Sequence, residues 1–176
     1  MPFEQQLTIE SPVGLLGLRS RGAALTAIEF GAEGHAQGLA YPASLSPALQ
    51  AAMTQLGEYF AGTRRDFDLP LAPQGTEFQQ AVWEQLAAIP FGETTTYGAL
   101  ARAIGRPGAS RAVGAANGAN PLPIVLPCHR VVGADRTLTG FGGGLPIKRQ
   151  LLTHEGLRLE GDKVLPPSDG QGLLPI

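Results

Sequence analysis

The single cysteine of this 176-residue chain lies in "PIVLPCHRVVG", Pro123–Gly133. Cys128 stands between Pro127 and His129, with Arg130 next. The thiolate is the nucleophilic form of cysteine, and a nearby histidine can take its proton. Two cationic or near-cationic neighbours are expected to lower the thiol pKa. Against this, a free cysteine is among the most buried residue types, and apolar burial makes it inert. On a regular strand Cys128 and His129 would face opposite sides. Cooperation between them needs a turn at 127–130 or a bridging water. Pro127 favours a break here, because it holds Leu126 extended and removes a backbone donor. A carboxylate behind His129 would fix its tautomer and stabilise imidazolium. Asp135, Glu155 and Glu160 are the downstream candidates, and Glu155 ends a predicted helix.

A second constellation is "SRAVGAANGANP", Ser110–Pro121. It is nearly all Gly and Ala, with one long cation, Arg111. Gly114 and Gly118 each cost a helix about 1 kcal/mol, so the small side chains need a reason. Close helix packing is one; close approach to a nucleic-acid backbone is another. A major-groove recognition helix carries long polar side chains for base edges. This one suits minor-groove or shape-based binding, with Arg111 reaching into the base stack.

The elements that must position these residues follow from patterning. "QLTIE", "GLLGLRS" and "ALTAIEF" alternate and are separated by turn residues, which predicts a small antiparallel sheet. "GAEGHAQGLAYPAS" (31–44) reads as a loop. Ser46 and Pro47 open a helix with Leu49, Met53, Leu56 and Phe60 on one face, and Gly62 stops it. An extended exit over 64–75 places a domain boundary near 73–75. Thr76 and Gln79 form a capping-box pattern ahead of Phe78, Val82, Leu86 and Ile89. "TTYGALARAIGRP" and the small-residue helix, joined by a tight Gly/Pro turn, have the form of a helix-turn-helix. "LPIVLP" and "RVVG" read as extended. "LPIKRQLLTHEG" returns to helix, with Ile147, Leu151 and Leu152 packed. This gives an N-terminal α/β domain at 1–74, a C-terminal domain at 75–160 and a flexible tail at 161–176.

Composition narrows the class. One cysteine allows neither an internal disulfide nor a multi-cysteine zinc site, so a reduced, cytoplasmic setting is expected. The start "MPFEQQLTIE" does not read as a signal peptide, and no apolar stretch spans a bilayer. Net charge is −2. Residues 1–75 carry 4 basic and 7 acidic groups, whereas residues 76–160 carry 8 basic and 6 acidic groups. The second part is mildly basic, which permits DNA binding without demonstrating it.

Taken together, "PCHRVV" (127–132), "FGETTTYGALA" (91–101), "SRAVGAANGANPLPI" (110–124), "GFGGGLPIKRQLL" (140–152) and "HEG" (154–156) resemble the O6-alkylguanine-DNA alkyltransferase family. The resemblance is specific over about 76–157 and looser towards the N-terminus. It implies an α/β (α+β) protein: a ribonuclease-H-like sheet domain, then a winged helix-turn-helix domain holding the cysteine. It implies one-time transfer of an alkyl group from O6 of guanine, and O4 of thymine, in double-stranded DNA to Cys128. The base is flipped, no cofactor or metal is used, and the protein acts as a monomer. His129 would deprotonate Cys128 through a water, Glu155 would orient His129, and Asn120 would bond the backbone of the cysteine turn. Tyr97 would protonate the departing guanine. Arg111 would replace the flipped base, with Ala112, Gly114, Ala115, Gly118, Thr95 and Thr96 at the DNA. Trp83, Pro123, Val131, Phe141, Gly142 and Gly143 would line the pocket, and the Cys128 and Val131 carbonyls would read the guanine amino group. Many members have Tyr and Ser where this chain has Phe141 and Gly142, which points to a different substrate range.

Three other classes stay in view. A non-catalytic lesion sensor usually lacks the cysteine that is present here. A cysteine hydrolase needs an oxyanion hole. A DNA-binding regulator would use Cys128 only as core filler.

Overall fold

The computed structural model describes residues 4–32 and 44–168. The chain divides into two compact units, Met1–Gln74 and Gly75–Ile176.

In the first unit, β1 (Glu4–Ile9), β2 (Leu16–Arg21) and β3 (Ala24–Phe30) form an antiparallel sheet in sequential order. Leu7 pairs with Leu18, and Leu18 with Ile28, so the alternating apolar residues fall on one buried face. Helix α1 (Pro47–Phe60) covers it and starts as expected, with Ser46 Oγ accepting from Leu49 N and Pro47 in the first turn. Its buried face is Leu49, Ala52, Leu56 and Tyr59, whereas Met53 is 40% exposed. The expected stripe through Met53 and Phe60 is therefore rotated: small Ala52 and the Tyr59 ring face inward in their place. The exit strand runs beside β3, with Leu25 N bonded to Pro70 O and Ala72 N to Leu25 O. The loop expected at 31–44 lies mostly outside the described residues.

The second unit opens with α2 (Glu77–Ala87), and the capping box forms: Thr76 Oγ1 accepts from Gln79 N, and Gln79 Oε1 from Thr76 N. Short strand β4 (Thr95–Thr96) leads into α3 (Tyr97–Ala103), a turn, and α4 (Ser110–Gly118). Helices α2, α3 and α4 pack on one another. The chain returns through a single 3₁₀ turn at Cys128–Arg130 to β5 (Val131–Val132), which pairs in parallel with β4. Helix α5 (Leu145–His154) follows, then hairpin strands β6 (Leu159–Glu160) and β7 (Lys163–Val164).

Two expectations need correction. "LPIVLP" is a series of turns, not a strand. The segment from 161 is not loose tail at its start. Val164 is buried in a core with Val132, Leu138 and Leu152, Leu138 N donates to Asp162 O, and Arg149 binds both Gly161 O and Asp162. A left-handed Gly161 (φ +58°) makes the hairpin turn that returns the chain to this core. Residues 169–176 lie outside the description.

Candidate active site

The cysteine turn is built from backbone geometry. Pro127 (φ −78°, ψ 67°) lies at the centre of an inverse γ-turn closed by Cys128 N and Leu126 O at 2.7 Å. Asn120 ties the turn together: its Nδ2 donates to Leu126 O (2.7 Å) and its Oδ1 accepts from Leu122 N (2.9 Å). Ile124 is held at φ +74°, a strained region for a β-branched side chain. Its side chain is fully buried, which offsets the strain. The break that joint action of Cys128 and His129 required is therefore present.

Behind the cysteine sits a buried polar array. His129 is 0% exposed, and its Nε2 lies 2.7 Å from Glu155 Oε1. Glu155 caps the C-terminus of α5. Arg130 holds the same carboxylate twice, Nε to Oε2 and Nη2 to Oε1, each at 2.9 Å, and donates through Nη1 to Ile89 O at 2.5 Å. Gly92 N adds a bond to Oε2 at 3.2 Å. Burial alone would raise the Glu155 carboxyl, but the bonds and charges of His129 and Arg130 outweigh it and hold it well below the usual carboxylate range. Burial lowers the His129 pKa, against the pull of Glu155. The resting imidazole is neutral. Because the carboxylate only accepts, Nε2 carries the hydrogen and Nδ1 presents a lone pair. That Nδ1 is buried and has no protein hydrogen-bond partner.

Cys128 itself is 4% exposed. Burial pushes its pKa up to about 11, despite the opposing influence of Asn120 and the Lys148 charge. This reverses the expectation of a lowered thiol pKa. The Arg130 charge is committed to Glu155, His129 is neutral, and desolvation wins.

Lys148 was missed by sequence reasoning. It lies on α5, is 0% exposed, and donates through Nζ to Val131 O (2.6 Å) and Thr139 O (3.1 Å). Burial brings its pKa down to about 8, with the Cys128 charge opposing. The signal was its spacing: Lys148 stands three and four residues before Leu151 and Leu152, on the buried face. Arg130 was counted as a neighbour of the thiol, not as the partner of Glu155.

The remaining candidates fall into place unevenly. On α4, Arg111, Ala112, Ala115 and Gly118 are exposed along one stripe, while Val113, Ala116 and Asn117 are buried. Gly114 is half-buried, and a Cβ there would meet the Tyr97 ring at 3.7 Å. Asn117 reaches back from α4, its Nδ2 donating to Cys128 O at 3.3 Å. That carbonyl also accepts from Val131 N. Thr95 and Thr96 form β4, and Thr96 Oγ1 caps α3 by accepting from Ala99 N. Tyr97 is half-buried, and its hydroxyl lies 2.7 Å from Thr139 Oγ1. Phe141 and Gly143 are half-buried, Gly142 is exposed, and Pro123 and Val131 are buried. Trp83 packs inside the helical core. It is 2% exposed, and its indole N–H donates to Ala116 O (2.8 Å), fixing α2 on α4. Among the described residues no group of three or more His, Cys, Asp or Glu side chains could hold a metal ion, and no helix is long and apolar enough to cross a membrane.

A helix-turn-helix domain that shelters a cysteine beside a His–Glu–Arg array defines a class: DNA-binding proteins with a thiol at the working site. Comparison with known proteins resolves the class further. Residues 6–73 match the ribonuclease-like domain, and residues 77–157 the DNA binding domain, of 6-O-methylguanine DNA methyltransferase. The chain belongs to this methylated-DNA–protein-cysteine methyltransferase family. It is 46% identical to the Mycobacterium bovis methylated-DNA–protein-cysteine methyltransferase, over 90% of this chain and 96% of the relative. It is 48% identical to that of Haemophilus influenzae, over 82% of each chain. The fold matches the Mycobacterium tuberculosis O6-methylguanine methyltransferase with a TM-score of 0.76 at 44% identity, covering 91% of this chain and 97% of the other. The Mycobacterium tuberculosis OGT in complex with DNA matches with a TM-score of 0.73 at 46% identity, covering 84% and 90%. The chain is accordingly a DNA-binding alkyl-transfer repair enzyme.

Proposed function

We propose that the protein removes an alkyl group from O6 of guanine in double-stranded DNA by one irreversible transfer to Cys128, with the damaged base swung out of the helix. The reacting carbon is shielded inside a duplex, so extrusion is required. The arrangement that carries the reading is Cys128 followed by a buried His129 whose Nε2 binds Glu155 at 2.7 Å. The thiol rests protonated. A water between Sγ and the His129 Nδ1 lone pair moves the proton, Glu155 stabilises the imidazolium, and Sγ attacks the alkyl carbon. The carbon–O6 bond breaks and guanine keeps the electron pair. Tyr97 donates a proton to the departing ring, because an unprotonated guanine is a poorer leaving group. Arg111, on the exposed stripe of α4, fills the gap in the minor groove. Both carbonyls assigned to the guanine amino group already accept within the protein, Cys128 O from Asn117 and Val131 and Val131 O from Lys148, so each would read the base in addition to those bonds. The same chemistry extends to O4-alkylthymine. The protein works as a monomer.

The test is a duplex carrying one O6-methylguanine, followed by intact mass and mapping of the modified residue. One methyl on Cys128 and no turnover is expected. Multiple turnover, or repair with the protein left unmodified, would sink the reading. Transfer from benzylated relative to methylated guanine tests the opening left by Phe141 and Gly142; no relative gain would mean an ordinary pocket.

A further inference from the structure

We propose that Thr139 is a positioning residue for the proton donor: its hydroxyl aims the Tyr97 hydroxyl and supports it as its proton leaves. This deepens the reading of Tyr97 given above and rests on it.

Three observations converge. The two hydroxyl oxygens lie 2.7 Å apart, a full-strength O–H···O separation. Thr139 is itself anchored, because its carbonyl accepts from the buried Lys148 Nζ at 3.1 Å. The same ammonium holds Val131 O at 2.6 Å, so one buried cation fixes both the Thr139 backbone and the strand that follows the cysteine turn. Tyr97 starts α3 directly after β4, and β4 pairs with β5. The phenol is thus braced from its backbone through β4 and from its oxygen through Thr139.

A hydroxyl both donates and accepts, so the pair can switch roles. Before reaction Tyr97 donates to Thr139 Oγ1, or receives from it. When guanine departs with the pair from the broken carbon–O6 bond, the Tyr97 proton moves to the guanine ring. Thr139 then turns its hydrogen to the phenolate oxygen. Solvent returns a proton to Tyr97, balancing the one that Cys128 gave up through His129. The overall change is thiol plus alkylguanine to thioether plus guanine. Bonds to an ionised acceptor are stronger than neutral ones, so Thr139 contributes most while the phenol is losing its proton.

The experiment measures single-turnover methyl transfer on an O6-methylguanine duplex at saturating protein, with duplex affinity measured in parallel. Thr139→Val keeps the shape and removes the hydroxyl. It should slow transfer roughly tenfold, the scale of one hydrogen bond to a charged group, with affinity unchanged. Thr139→Ser should restore most of the rate. In a Tyr97→Phe background, Thr139→Val should add no further loss. If Thr139→Val matches the parent while Tyr97→Phe is slow, the positioning role is overturned. Equal losses in Val and Ser variants overturn it too, since packing would then explain the effect. If Tyr97→Phe itself matches the parent, the proton-donor reading fails first, independently of Thr139.

Discussion

Arg130 grips Glu155 with two parallel bonds of 2.9 Å, and one of the two oxygens it holds is also bound by His129 Nε2. The carboxylate charge is therefore matched before His129 gains any charge. A buried carboxylate facing only a neutral imidazole would tend to protonate. Arg130 prevents that and keeps an acceptor ready for the imidazolium that the proposed transfer of the Cys128 proton would form.

Removing that charge should damage both folding and chemistry. Glu155→Gln leaves Arg130 buried and uncompensated, a loss of about 3–5 kcal/mol. Chemical denaturation checks it. At a temperature where the variant stays folded, methyl transfer should be slower by about a hundredfold or more, the scale of losing a base's orienting partner. A variant with parental stability would mean that Arg130 finds another partner.

Acid should weaken the fold in two stages. The folded pKa of His129 lies below its ordinary 6.5, and that of Glu155 below its ordinary 4.5. In each case the unfolded chain binds more protons in the window below the ordinary value. The stability contributed by these two groups is thus complete above about pH 6.5 and declines as pH falls, first through His129 and then, below about 4.5, through Glu155. Urea midpoints from pH 8 to 3 test this. A midpoint that rises on acidification would contradict it.

The free protein should be a sluggish target for simple electrophiles. With the Cys128 pKa near 11, little thiolate is present at neutral pH. Modification of the unliganded protein by iodoacetamide should accelerate towards pH 10, whereas an ordinary exposed thiol levels off near its pKa of about 8.5. A plateau near pH 7 would show a thiolate at rest.

Asn120→Ala removes two bonds that hold the cysteine turn, to Leu126 O and Leu122 N. Loss of stability by about 1–3 kcal/mol is expected. Transfer should slow while duplex affinity, which we assign to the exposed face of α4, stays near that of the parent. Equal losses in both would place Asn120 in DNA binding.

Arg111→Ala tests the role of the only long side chain on the exposed stripe of α4. Transfer from a duplex should fall, because a flipped base is no longer replaced. Transfer from a single-stranded oligonucleotide, where no gap needs filling, should change little. A uniform loss on both would make Arg111 a phosphate contact.

The residue types of the site were legible in the chain. Cys128, His129, Glu155 and Asn120 stand in motifs, and the turn they required could be argued from Pro127. What escaped was burial. The thiol pKa went the wrong way because sequence displays the neighbouring charges but not that Glu155 takes up Arg130. Lys148 lies in "PIKRQ", which reads as surface until its spacing to Leu151 and Leu152 is weighed. Trp83 takes a pocket role from the resemblance alone, and its bond to Ala116 O becomes visible only when α2 meets α4. "LRLEGDKV" alternates around a Gly-Asp turn, a hairpin signal overridden by the Pro-rich stretch after it.

The two-rung ladder joining Thr95 to Val131 and Thr96 to Val132 has a modular consequence. Everything between its strands, residues 97–130, is one excursion that leaves β4, builds the helix-turn-helix and returns through the cysteine turn. Tyr97 is the first residue of that excursion, and Cys128 is three residues from re-entry. On the proposed reading, changes on the outer face of α4 retune how the protein reads a groove without altering the scaffold that spaces Tyr97 and Cys128. Grafting the 110–119 surface of a relative onto this chain is a direct engineering route to new DNA preferences with the chemistry left intact.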